Sequence, residues 1–538
     1  ETITVTGAAP LIDTSNASTG SVIDARQLET LPSGGRSAFL FAVTVPTVVA
    51  SGDAQFNRQQ DQTNASLLSM GGGTRRGNNY LLDGVPITDL RNRASANPSI
   101  EALEGVAVQV HTYDAETGRT GGGIFNTSTK SGTNSFRGSG FYQNRPRWGS
   151  ANNFFAERAG QPLPDTYFHL GGGGIGGPLL KNRTFFWFAG EGYGSNTTRN
   201  VSARFATSRE LAGDFSASTN AAGAVQPIFD PLTGDASGNG RTQFPGNIIP
   251  ANRLNPVARA IASYFPTPDQ NVSNTNNNFV RASQLEDRAQ MYSLKADHRF
   301  NDLVSLSGFY LYNKTDEPCA SYWGQNAFAD PNEYLLARRV HMVAVNNTWL
   351  PSNNTVLTFR YGLTSFDDSD FLTEEFDPAT LGFNNSFINS IQRKKFPIGN
   401  IQEYGDNGSA FGAIDATDRL WYSWSANATA SKLLGRHTVK AGGDFRRIGT
   451  DTQSFSASSG VFNFDRLWTS GSPTALQGGN AFASFLLGLP SGDPGNLSRV
   501  GQSTPLNAFV NYYGGYLQDD FRVNSKFTLN AGVRVEYE

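Results

Sequence analysis

The sequence predicts a mainly β protein: an α+β domain followed by an incomplete transmembrane antiparallel β-barrel. Three observations carry that prediction. Long segments alternate apolar and polar residues with a period of two. No apolar run approaches the roughly 20 residues that a spanning helix needs. The connections between the alternating segments are short and long by turns.

The alternation is clearest at the C-terminal end. Phe527, Leu529, Ala531, Val533, Val535 and Tyr537 interleave with Thr528, Asn530, Gly532, Arg534 and Glu536. Leu420, Tyr422, Trp424, Ala426, Ala428 and Ala430 interleave with Trp421, Ser423, Ser425, Asn427 and Thr429. Thr355–Thr364 and Tyr292–Phe300 repeat the pattern. Successive strand side chains point to opposite faces, so each segment is a two-faced strand. An apolar outside with Arg, Glu, Lys and Asp inside fits a lipid-facing barrel with a wet lumen. A soluble sandwich would bury its apolar faces and need fewer strands of this length. Only helices and closed barrels satisfy the backbone in lipid, so without a helix the membrane reading must be a barrel.

Composition agrees. The 538 residues exceed one ordinary globular core, and hydrophobic residues make up only 38%. The 58 glycines and 12% aromatics suit barrel strands with aromatic girdles. A net charge of -3 argues against nucleic acid as a partner. The one cysteine, Cys319, leaves no internal disulfide and no cysteine metal site. With neither an initiator Met nor a signal peptide, the chain reads as a trimmed or partial product.

Taken in order, residues 1–133 carry short mixed segments, glycine turns at 71–73 and 121–123, and a helix near Ala25–Leu31, which predicts a compact α+β domain. Strands follow at about 136–144, 165–177, 183–195, 288–300, 303–314, 337–350, 354–367, 418–434, 436–451, 509–523 and 526–538. Long connections cover 145–164, 196–287, 315–336, 368–417 and 452–508, and short turns fill the other gaps. Short periplasmic turns and long extracellular loops orient such a chain in an outer membrane. Phe185, Phe300, Trp349 and Phe527 near the short turns fit the inner girdle. The strand count is eleven, and bacterial single-chain barrels have an even number, so the barrel reads as cut.

The first domain carries a family resemblance. Glu1, Thr2, Ile3, Thr4, Val5 and Thr6, then Gly7, resemble the TonB box that opens TonB-dependent outer-membrane transporters. Leu31-Pro32-Ser33-Gly34-Gly35-Arg36, then Phe39 and Pro46, look like an early plug motif of that family. Residues 76–87, ending Asp83-Gly84-Val85-Pro86-Ile87, and the blocks at 100–106, 121–126 and 129–132 are similar to later plug segments. Gly213-Asp214-Phe215, the Phe229–Gly234 block and the Pro245–Pro250 block look most like the Oar-like branch.

The resemblance implies a TonB-box-like segment at 1–7, a plug over 8–133 and the N-terminal half of a 22-strand barrel over 134–538. It implies active import across the bacterial outer membrane, in which TonB, energised with ExbB and ExbD, captures the box and shifts the plug. The β-forming residues of the box suit capture by strand addition, the alternative being a terminal strand or linker. Plug apex loops commonly face substrate in this family, which extends that role to Arg58, Gln59, Gln60 and Asn64; the plain reading is a solvated loop. The partners expected are TonB, outer-membrane lipid and an extracellular substrate; large loops rich in Asn, Ser, Phe and Tyr suit a saccharide or peptide, with a siderophore chelate as the alternative. The alternative function is an outer-membrane receptor, adhesin or protein-handling surface protein without nutrient import.

Other motifs lead to no chemistry. Gly171, Gly173 and Gly176 fit a dinucleotide fingerprint, but Pro178 and a second strand stand where its helix should begin. These glycines read as a smooth patch for packing. Asp235, Ser237, Asn239 and Gly240 mimic a calcium loop that lacks its Glu at position twelve. Asp367, Asp368, Asp370, Glu374 and Glu375 read as a solvated loop tip. The five histidines have no zincin spacing. No catalytic residue, metal site or cofactor is expected.

Overall fold

In the computed structural model, the residues described are 19–31, 36–50, 66–110, 114–152, 154–158, 163, 165–270, 276–318, 321–333, 335–371, 375–406, 408–413, 416–472, 474, 477–491 and 495–538. The N-terminal unit is a mixed five-stranded sheet in the order 19–24, 103–110, 123–129, 79–82 and 85–86. Its helix, Ala25–Thr30, starts at a capping box in which Asp24 and Gln27 satisfy each other's backbone N–H. Val106, Val108 and Val110 turn inward at a period of two. They pack in one core with Leu28, Leu82 and the mutually contacting rings of Phe39, Tyr80 and Phe125.

The strands of the large sheet are β1 (Arg137–Arg145), β2 (Tyr167–Leu180), β3 (Thr184–Ala203), β4 (Phe279–Arg299), β5 (Val304–Pro318), β6 (Leu335–Ser352), β7 (Thr355–Phe371), β8 (Thr417–Leu434), β9 (His437–Ser454), β10 (Leu506–Arg522) and β11 (Thr528–Tyr537). They form one antiparallel meander in chain order, with no closing pair between β11 and β1 among the described residues. No described helix is long and apolar enough to cross a membrane.

Directly opposed residues share a face, so register lines show what each face offers. One line runs Phe188, Leu294, Tyr310, Val343, Leu363 and Trp424 across six strands. Every member except the half-buried Val343 is an exposed large apolar residue. The line beside it runs Trp187, Lys295, Phe309, Ala344, Gly362, Ser425, Arg446 and Tyr512. That line faces the N-terminal unit: a Cβ on Gly362 would fall 2.1 Å from Val85.

Three sequence expectations need correction. Phe185 shares parity with buried Trp187 rather than exposed Phe188, so it lies on the inner face and outside the girdle. The inner face is not polar throughout: Phe309, Leu311, Val340, Met342 and Ala344 on β5 and β6 join the core of the N-terminal unit. Asp367, Asp368 and Asp370 belong to β7, where Asp368 and Asp370 are buried, rather than to a solvated tip. Strands run longer than alternation suggests, because hydrogen-bonded ladders continue after the apolar residues stop.

The long connections fold together. Phe205, Phe215, Phe244, Trp323, Phe396, Phe411, Phe482 and Phe485 come from four of them and share a second core. Two short helices are capped inside it, Pro256–Ala262 by Asn255 and Ala481–Leu486 by Asn480. Asp235 closes a plain Asx turn by accepting from the N–H groups of Ser237 and Asn239.

Candidate functional site

The polar groups of the molecule converge where the N-terminal unit meets the inner strand face. Three zones differ in chemistry. The first is a dry seat over β1 to β6. A 3₁₀ turn, Ile100–Ala102, presents Glu101, whose carboxylate takes the Arg36 guanidinium at 2.6 Å and also the Ser139 hydroxyl of β1. Ser99 donates to Glu191 Oε2 of β3 at 2.7 Å, and Trp187 Nε1 donates to the Glu101 carbonyl at 2.9 Å. Lys295 of β4 donates to the Thr129 carbonyl at 3.0 Å. Gly174 and Gly176 lie flat beneath Trp187; a Cβ on Gly176 would come 2.3 Å from its ring. Apart from Ser139, which is exposed on β1, these groups are buried, and the apolar patch of β5 and β6 continues the seat.

The second zone lies near the long-loop end. Asp89 ties the turn 89–93 by accepting from the Arg91 and Arg93 N–H groups at 2.8 and 3.0 Å. Burial pushes the Asp89 carboxyl above its usual range, and the charge of Arg93 pulls it back. Arg91 stacks 3.7 Å over Trp421 of β8 and reaches Asp368 of β7 at 3.9 Å. Asp368 also pairs with Arg338 of β6 at 2.9 Å and Arg419 of β8 at 3.3 Å. One carboxylate therefore joins the N-terminal unit to three strands.

The third zone has ion pairs that are about a quarter exposed beside others that are buried. Residues 114–119 have no strand or helix and lie along β7 to β11. Glu116 pairs with Arg360 at 2.9 Å, Asp114 with Lys440 at 3.2 Å and Arg119 with Glu538 at 2.8 Å. Ala115 N donates to Gln518 Oε1 at 2.9 Å, and Arg534 donates to the carbonyls of Ala115 and Glu116. A chamber of about 260 Å³ adjoins the segment, lined by Asn79, Asn126, Ser425, Asn427 and Arg446 among others. A second cavity of about 1090 Å³ opens between the turns at 434–436 and 524–526. Asp114 lines both.

The expected box Glu1–Thr6, the substrate contacts Arg58, Gln59, Gln60 and Asn64, and Cys319 lie outside the described residues. The residues that do converge, Arg36, Glu101, Arg91, Asp368, Glu116 and Arg360, were not singled out as a site by the sequence reading. A signal existed: Glu191, Lys295, Arg360, Asp368 and Arg446 all sit at inward parity on strands.

Residues 128–538 match the family model described as an outer membrane beta barrel domain. The whole chain is 25% identical to the TonB-dependent transporter Oar of Myxococcus xanthus, covering 49% of that protein. Its fold is similar to the Escherichia coli outer membrane transporter YddB, with a TM-score of 0.55 at 12% identity over 96% of this chain and 56% of that one. The unliganded ferric citrate transporter FecA gives a TM-score of 0.50 at 12% identity, over 97% and 56%. The chain thus spans about half the length of the relatives it matches.

Proposed function

This chain belongs to the outer-membrane β-barrel family, and from that premise we propose that it serves TonB-energised import across the bacterial outer membrane, with residues 8–133 as the plug. One observation carries the reading: an N-terminal unit fills the inner face of a sheet whose other face is apolar, and its core continues into that inner face. A passive pore has no use for such an obstruction. The segment 1–7 is the TonB box in this reading, and ExbB and ExbD energise TonB. The short turns face the periplasm and the loop cap faces outward. Arg58, Gln59, Gln60 and Asn64 stand as substrate contacts, and the substrate is a saccharide or peptide.

The test replaces Ile3 or Val5 with Pro in the full-length protein. Proline removes a strand donor and fixes φ, so pairing with a partner edge fails. With a substrate found by growth on a nutrient panel, energised uptake should vanish while surface binding persists. Normal uptake by both variants would refute the assignment of the box. The cored loop cap favours a second reading, a surface receptor or adhesin. That reading predicts ligand binding with no energised uptake even in the unaltered protein.

A further inference from the structure

The five short turns at one end of the large sheet form a continuous rim. Arg299 N donates to the Arg183 carbonyl at 2.8 Å, Leu350 N to that of Leu303 at 2.7 Å, Leu433 N to that of Asn354 at 2.9 Å and Arg522 N to that of Arg436 at 2.8 Å. Each bond ties one turn to the next. The charges on this rim have almost one sign. Lys181, Arg183 and Arg299 lie on the first two turns, and Arg436, Arg522 and Lys526 on the last two, all exposed. The middle turn, 351–354, is uncharged. Within two residues of the five turns the one carboxylate is Asp302, 3.6 Å from Arg299. The loop end of the same outer face is different, because its cations are matched. There Arg288 pairs with Glu286 at 3.0 Å, and Asp316 takes Lys314 at 3.2 Å and Arg339 at 3.1 Å.

We propose that the rim docks anionic glycerophospholipid headgroups of the inner leaflet, with Arg183–Arg299 and Arg436–Arg522 as its two phosphate-binding points. It rests on the reading that turns the short turns to the periplasm, and adds what they meet there. Leu179, Trp349 and Leu434 carry the parity of the apolar face to the ends of their strands, and Phe300 and Phe527 stand just beyond theirs. All five are exposed. Such residues enter the acyl layer, which sets the neighbouring guanidinium groups at the level of the phosphates. A soluble acidic partner would need no apolar fringe beside its cations. Like charges held side by side repel, and an anion between them removes the repulsion. The planar fork of Arg matches phosphate oxygens. A phosphatidylglycerol headgroup brings a net negative charge, whereas a phosphatidylcholine headgroup cancels its own.

The experiment uses the full-length protein in a Cys319→Ser background, with Ser525→Cys in the last turn carrying a fluorophore. The protein is reconstituted in phosphatidylcholine vesicles that contain nitroxide-labelled phosphatidylglycerol or, in parallel, nitroxide-labelled phosphatidylcholine. Quenching by the anionic lipid should exceed quenching by the zwitterionic one about fivefold. Arg436→Gln with Arg522→Gln should bring the two to equality. Arg288→Gln, at the loop end, should leave the preference intact. Heat-modifiable gel mobility confirms folding of each variant. Equal quenching in the unaltered rim, or an undiminished preference in the double variant, overturns the proposal. Loss of the preference in excess inorganic phosphate at constant ionic strength marks a free-anion site and also overturns it. Labelling of Ser525→Cys in intact cells, by a maleimide too large for porins, would refute the periplasmic orientation while the headgroup preference stands.

Discussion

Asp330 shows how much a single buried residue does in this molecule. Its Oδ2 accepts from the Tyr322 and Trp323 N–H groups and the Ser321 hydroxyl, and its Oδ1 accepts from Asn332 N. Burial still outweighs those bonds and pushes the carboxyl up to about 6 from its ordinary 3.8. A carboxyl raised on folding contributes stability that is full below the unfolded value and is lost as pH rises through the folded one. The cap of the wild-type protein should therefore resist urea less as pH rises from 4 to 7, and Asp330→Asn should flatten that slope. Protease susceptibility of the cap across that pH range is the measurement; parallel slopes would disprove the assignment. Gly176 is the opposite case, a residue defined by lacking a side chain. Gly176→Val would drive a branched Cβ into Trp187 and the Phe186 carbonyl, and overpacking of this kind costs about 1–3 kcal/mol. Urea unfolding in detergent should show that loss, while Gly192→Ala, which faces open space, should show none.

At the scale of elements, the helix Ala481–Leu486 is too short to hold by itself and depends on its cap and burial. Asn480 accepts from the N–H groups of Phe482 and Ala483 and donates to Tyr404 OH. Asn480→Ala should cost about 1–2 kcal/mol and appear as faster amide exchange over residues 481–487. Exchange in β9 should not change. The barrel strands obey another logic. Their ladders run up to twenty residue pairs, as between β3 and β4, so neighbours rather than propensity decide where each ends. Period two was legible from about eleven residues of β8 and β11. The extra length of β4, which begins at Phe279, was not, because those residues pair above the apolar stripe.

Across the whole molecule, the loop cap is held by one network under its aromatic core. Tyr404 donates to Glu210 at 2.9 Å and accepts from Arg204 and Asn480. Glu210 also accepts from the Thr207 and Ser218 hydroxyls. Burial holds the Tyr404 phenol protonated, which keeps its donor in place. Tyr404→Phe leaves Glu210, fully buried, short of a donor, which costs about 1–3 kcal/mol. Limited proteolysis should then cut several of the long connections together, since they share one core. Cleavage confined to a single connection would show that the loops fold independently.

The sequence by itself determined the two-faced strands, their order, their alternating connections and the likeness to TonB-dependent outer-membrane transporters. It could do so because pleat and turn chemistry are local: period two needs only neighbours along the chain. Tertiary structure alone decided which charges meet. Arg36 and Glu101 are 65 residues apart and Glu116 and Arg360 are 244 apart, so no local pattern pairs them. It also made Asp368 a buried joint between strands, where composition alone suggested a wet tip. Burial, and with it the strength of each ion pair, depends on what the whole fold lays over a residue, and a sequence read in short windows does not contain that.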